Sequence, residues 1–111
     1  MKFAALVLAG AALLLGAGPA PGPAEVAMKS LGYEPKQIEV VAGQAVVWKN
    51  TALTEHAAKS DDETPGFDTG RIAPGTTSKP VLFAKAGTYK YHCSLHGKTM
   101  AGSVLVKAAT P

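Results

Sequence analysis

The 111-residue chain has one cysteine, one tryptophan and three histidines. A single thiol excludes an internal disulfide framework, and three histidines are too few for a cluster of several metal ions, each of which needs its own set. Aromatic residues make up only 6% of the chain, so its core must be closed by very few rings. The length leaves no room for a second core. Beyond the N-terminal region no segment sustains apolar residues at helical period for three turns. There is no internal repeat. The charge balance, 11 Lys+Arg against 8 Asp+Glu, is far too mild to argue for nucleic acid.

The longest apolar run lies at the very start. Met1 and Lys2 precede FAALVLAGAALLLGAG (Phe3 to Gly18), followed by the small-residue stretch PAPGPA. A basic start, a short apolar core and small residues in that order read as a secretory signal peptide. The run falls short of the ~20 residues that a spanning helix needs, and no cysteine follows it to take a lipid. Cleavage after Ala24 is expected rather than after Ala20, which would leave Pro21 directly behind the cut. Residues 1–24 are therefore expected to be removed, leaving 25–111 as one domain, periplasmic or otherwise exported, with no stable membrane insertion. Lys2 goes with the signal, so ten of the eleven Lys+Arg face eight Asp+Glu, a formal charge of +2. Such a bias suits an acidic protein partner. It also leaves an unpaired thiol in an oxidising compartment, which metal coordination would explain.

The rest of the chain reads as strands. QIEVV (37–41), QAVVWKN (44–50), KPVLFA (79–84), TYKYHC (88–93) and SVLVK (103–107) are short, rich in β-branched and aromatic residues, and separated by Gly or Pro. AMKSLGY near Ala27 is a weaker candidate for a first strand. Turns are expected at AGQ (42–44), APGT (73–76) and AGT (86–88). The acidic, Gly/Pro-containing segment from Ser60 to Ile72 reads as a surface loop. These elements predict an all-β, two-sheet antiparallel Greek-key β-sandwich whose core holds Trp48, Phe83, Tyr89, Tyr91 and the valines.

The chemistry concentrates in YHCSLHGKTM, Tyr91 to Met100. Cys93, His96 and Met100 stand at C-x2-H-x3-M spacing, directly after one strand and before the next. A soft thiolate, a borderline imidazole and a weak thioether suit copper cycling between two oxidation states better than any hard cation. Strand alternation sets Tyr89, Tyr91 and Cys93 on one face and Lys90 and His92 on the other. Because the aromatic face is the inner one, His92 points away from Cys93. A second histidine must then come from elsewhere, and His56, just beyond the strand ending at Asn50, is the one left. Met28 competes with Met100 for a thioether position but has no link to the loop.

In these residues the chain resembles the small cupredoxins, the family of plastocyanin, pseudoazurin and amicyanin. The resemblance runs from about Tyr33 to Lys107, through YEPKQIEVVAGQAVVWKN, His56, FDTGRIAPG and FAKAGTYKYHCSLHGKTMAGSV. It implies one type 1 copper ion, with His56, Cys93 and His96 as equatorial ligands and Met100 as the long axial one. The ligand loop is most similar to that of amicyanin in its YHC start. It is one residue longer between His96 and the methionine, and one shorter than the plastocyanin pattern. Ala57 stands where many members carry an Asn that ties the two ligand loops together through the residue after the cysteine, here Ser94. Its absence implies either a looser surround for the ligands, or that Asn50 or the Ala57 backbone N–H substitutes for it.

The function implied is electron transfer between a protein donor and a protein acceptor, by a monomer that is not an enzyme. Electrons would pass at His96, where Leu95, Gly97 and Ala101 could form an apolar patch, with Lys90, Lys98 and Lys59 steering acidic docking faces. The alternative is a copper carrier or storage protein using the same ligands, although carriers have no need of a rigid sandwich.

Overall fold

Alternation along the chain builds the strands, and it does so first where apolar residues fall at every second position. The computed structural model describes residues 21–64 and 66–109, so the N-terminal run, and with it nearly all of the expected signal peptide, lies outside the described residues. In chain order the strands are β1 (Ala24–Met28), β2 (Tyr33–Glu34), β3 (Gln37–Val41), β4 (Gln44–Asn50), β5 (Lys59–Ser60), β6 (Val81–Phe83), β7 (Gly87–Cys93) and β8 (Gly97–Lys107). No helix among the described residues is long and apolar enough to cross a membrane. Ala24, expected to be the last residue before the cut, begins β1 and pairs with Val46.

Two four-stranded sheets form, one in the order β2-β1-β4-β6 and the other in the order β3-β8-β7-β5. The expected all-β sandwich is present, but its sheets are mixed rather than purely antiparallel. β1 runs parallel to β4, from Ala24 opposite Val46 to Met28 opposite Asn50. β3 runs parallel to β8, from Gln37 opposite Ser103 to Val41 opposite Lys107. A tight turn forces antiparallel pairing only on strands that share a sheet. Here the turn at Ala42 and Gly43 sends β3 and β4 into opposite sheets, so each finds a neighbour distant in sequence.

The core lies between the sheets. Val26, Val46 and Trp48 from one face Val40, Tyr91, Cys93, Val104 and Val106 from the other, all buried. Burying an aromatic of Trp48's size removes ~150–250 Å² from water, about 4–6 kcal/mol of gross stabilisation at ~25 cal/mol per Å². Tyr91 meets Trp48 edge-on at 5.4 Å between ring centroids. Two side chains differ from expectation. Tyr89 is only half-buried, and its hydroxyl donates to the Lys85 carbonyl at 2.7 Å. Phe67, inside the segment read as a surface loop, stacks on Trp48 at 5.3 Å and 23°. It thereby pins the 67–72 stretch to the sandwich.

Candidate metal centre

The site is built from two pieces, and the first is the turn between β7 and β8. Cys93 closes β7 and pairs with Gly97, so Ser94, Leu95 and His96 form a three-residue hairpin loop. Such loops need a left-handed residue at their exit, and Gly97 supplies it with φ of 75°. The His96 backbone N–H donates to the Cys93 carbonyl at 3.3 Å. Below this turn the register breaks. His92 pairs with Ala101, and continuing that ladder would set Cys93 opposite Met100. Since Cys93 pairs with Gly97 instead, Lys98, Thr99 and Met100 are left over on β8 as a bulge. Bulges re-aim side chains, and here Met100 is fully buried in the same core cluster as Cys93 while Lys98 and Thr99 stay exposed.

The second piece is the loop after β4. Asn50, fully buried at the strand end, donates from Nδ2 to the carbonyls of Thr54 and Ile72, each at 2.8 Å, and accepts the Ala52 N–H at 2.8 Å. These bonds hold the 51–55 loop against residue 72. His56 and Ile72 then bond each other through their backbones, N to O at 3.3 Å and 2.8 Å. The Ala58 N–H donates to Thr69 Oγ1 at 3.0 Å. Residues 56–60 are thus fixed beside 67–72, and β5 carries the chain onward to pair with His92 and Tyr91 of β7.

Together the pieces bring the donor atoms of His56, Cys93 and His96 within 4.8 Å of one another. His56 Nδ1 stands 3.9 Å from Cys93 Sγ. That is long for a hydrogen bond and close to the ~3.5–3.8 Å separating a nitrogen and a sulfur that share one ion. His56 is completely enclosed, yet its Nε2 has no hydrogen-bond partner. A buried ring without a good bond calls for an explanation, and a metal ion on Nδ1, the nitrogen that faces Cys93 Sγ, would give one. His96 differs in being exposed, with its ring centroid 4.7 Å from that of His56. Its Nε2 lies 3.3 Å from the Glu55 carbonyl, so a proton held there leaves Nδ1 with a free lone pair. Burial, and then the neighbouring His96, lower the proton affinity of His56, which keeps its lone pair available at neutral pH. The donors present, soft sulfur and neutral imidazole, fit copper.

Of the residues singled out in the sequence, the structure brings the donor atoms of His56, Cys93 and His96 together. Met100 is buried at the end of the bulge on β8, and Met28 is equally buried but belongs to β1; both lie in the core cluster that holds Cys93. His92 points outward, its Nδ1 2.7 Å from Asp61 Oδ1. The apolar patch is present in part: Leu95 and Gly97 are exposed, while Ala101 is half-buried. Asn50 braces the His56 loop, but through residues 52, 54 and 72 and not through Ser94. Tyr33 was not singled out. It is 6% exposed, and its hydroxyl donates to the Ala57 carbonyl. Burial, followed by the charge of a Cys93 thiolate, pushes its phenol well above the ordinary range.

Comparison with known proteins agrees with this geometry. A family model described as a cupredoxin-like domain matches residues 2–106. The chain is 44% identical over 89 residues to a chloroplastic plastocyanin of Fritillaria agrestis, covering 69% of this chain and 53% of that one. It therefore spans about half the length of that relative. To plastocyanin of Vicia faba it is 42% identical over 88 residues, covering 68% of this chain and 88% of the other. The solved Cu(I) form of an amicyanin mutant is similar with a TM-score of 0.71 and 26% identity, over 80% of this chain and 86% of that one. The chain belongs to the cupredoxin family, and its cofactor is copper.

Proposed function

We propose that the chain is an exported, monomeric electron-transfer protein and not an enzyme, in which His56, Cys93 and His96 are the strong copper ligands and Met100 the weak fourth. One observation carries this reading: three donors of the right chemistry converge, two of them buried and the third, His96, exposed. Bound there, copper supplies a one-electron couple between Cu(I) and Cu(II). The residues around the site do the rest. The His56 ring and the Cys93 sulfur are buried, His56 held by its backbone bonds to Ile72 and Cys93 by its place at the end of β7. Donors held in this way suit electron transfer, since little rearrangement would then accompany a change of charge. A carrier, by contrast, must open to release its ion.

The exposed edge of His96 is the natural point of exchange. Leu95 beside it is 37% exposed, Leu53 on the His56 loop 94% and Leu31 in the β1–β2 turn 74%, which gives this end of the sandwich apolar contact area. Leu31 shares a shallow groove with Lys36, Lys98 and Ala101. Lys36 and Lys90 line a second groove together with Asp61, and Lys59 lies on β5. These lysines would attract acidic donor and acceptor proteins, and export by the N-terminal signal would place the chain among them.

A one-electron titration separates the readings. The copper-loaded chain should take up and return one electron per molecule while keeping its metal. Loss of copper to an acceptor upon reduction would favour the carrier instead. With an acidic protein partner, the association rate should fall as salt rises, and a salt-independent rate would refute steering.

A further inference from the structure

The His56 side of the site and the Cys93 side meet at the surface, where His96 Nε2 lies 3.3 Å from the Glu55 carbonyl; the peptide that follows His56 is held separately, on its buried side. Ala57 has no side-chain group to hold it, and the Asn50 bonds go to residues 52, 54 and 72. Two other polar side chains reach the residues after His56: Thr69 Oγ1 accepts the Ala58 N–H, and Tyr33 meets Ala57 itself. Tyr33, from the edge strand β2, crosses to the peptide that follows His56 and donates its hydroxyl proton to the Ala57 carbonyl, 24 residues away in sequence. Its ring packs edge-on against Tyr91, with centroids 4.6 Å apart at 68°. Tyr91 in turn shares the inner face of β7 with Cys93, two residues on. Tyr33 therefore touches both halves of the site, the ligand strand through its ring and the ligand loop through its hydroxyl.

We infer that Tyr33 is a positioning residue of the metal site, whose hydroxyl holds the Ala57 carbonyl and so sets where the His56 ring stands relative to the Cys93 sulfur. The inference rests on the reading of His56 and Cys93 as copper ligands. Packing alone does not account for the hydroxyl. A phenylalanine would fill the same space and make the same edge contact with Tyr91, without burying a polar group that needs a partner. The added oxygen donates to the residue next to a ligand. Groups that orient ligands in this way are typically worth ~10–100-fold in metal affinity.

The test compares wild type with Tyr33→Phe, and with Tyr89→Phe as a matched control that removes a tyrosine bond, to the Lys85 carbonyl, away from the ligands. In the metal-free protein, the His56 ring resonances should shift or broaden in Tyr33→Phe and stay as in wild type in Tyr89→Phe. Affinity for copper, measured by competition with a chelator, should fall about tenfold or more in Tyr33→Phe only. Unchanged His56 resonances and an affinity within about twofold of wild type would overturn the inference, whatever happens to the melting temperature. A merely structural hydroxyl would move the melting temperature alone. The bond is also checked without any variant: in metal-free wild type the Tyr33 hydroxyl proton should exchange slowly and show cross-peaks to Ala57, and fast exchange would overturn it. If wild type itself binds no copper, the metal reading fails, while the His56 resonances of the metal-free proteins still decide the role of Tyr33.

Discussion

Replacing Asn50 by alanine tests how the His56 loop is held. The side chain is completely buried and makes three bonds of 2.8 Å, two donated to the Thr54 and Ile72 carbonyls and one accepted from the Ala52 N–H. Each is worth ~0.5–1.5 kcal/mol net, and each partner left unsatisfied by truncation adds to the loss. A total of about 3 kcal/mol is expected, and for a domain of this size that lowers the melting temperature by roughly 12–24 °C. Urea unfolding of the metal-free protein measures it, at constant slope if the native fold is otherwise kept. Copper affinity should drop in parallel, because the freed loop carries His56. A loss below ~1 kcal/mol would refute the reasoning, since it would mean that water replaces the side chain at no cost. A full loss of stability with unchanged affinity would show that the His56–Ile72 backbone pair positions the ligand unaided.

Other perturbations bear on other parts. Gly97→Ala places a side chain at φ of 75°, which should cost ~1–2 kcal/mol of stability and disturb the Cys93–Gly97 pair, while Gly97→Asn should cost less; equal unfolding midpoints for the two would contradict this. Gly102→Ala would set a Cβ 2.6 Å from the Tyr91 hydroxyl oxygen and 3.0 Å from the Lys36 carbonyl. Overpacking of that kind costs ~1–3 kcal/mol, and a wild-type melting curve would show that Tyr91 is free to move. Acid should weaken the metal-free protein through His56. Its imidazole is held below the ordinary value of 6.5, so the unfolded chain takes up a proton at a pH where the folded chain does not. Stability present above about pH 6.5 is therefore lost as pH falls below it. His56→Gln should flatten that part of the stability curve, and an equally steep curve in the variant would place the effect elsewhere.

Much of the sandwich was legible because alternation is local. Val46 and Trp48 in β4, and Tyr89, Tyr91 and Cys93 in β7, declare their inner face by parity, and the same rule turned His92 outward. Asn50 shares the parity of Val46 and Trp48, which was the available signal that it would be buried. Partner choice is not local: nothing within QIEVV says that it will lie parallel to the last strand, because that depends on which layer the turn at Gly43 sends it to. Phe67 was hidden by acidic neighbours that belong to the loop's outer side. The start of β8 was hidden too, since GKTM has no alternation, and the three residues left over by the register break resemble a longer turn. Tyr33 could not be read as a neighbour of His56, because its contact depends on how two sheets close over each other.

The central claim is that Cys93, with His56 and His96, binds copper through its sulfur. The most direct measurement is the visible absorption spectrum of the protein loaded with Cu(II), alongside the Cys93→Ser variant treated identically. The wild type should be intensely coloured by thiolate-to-copper charge transfer and bleach reversibly on reduction, and the variant should lack the band. An absent band in wild type, or one that survives in Cys93→Ser, would contradict it.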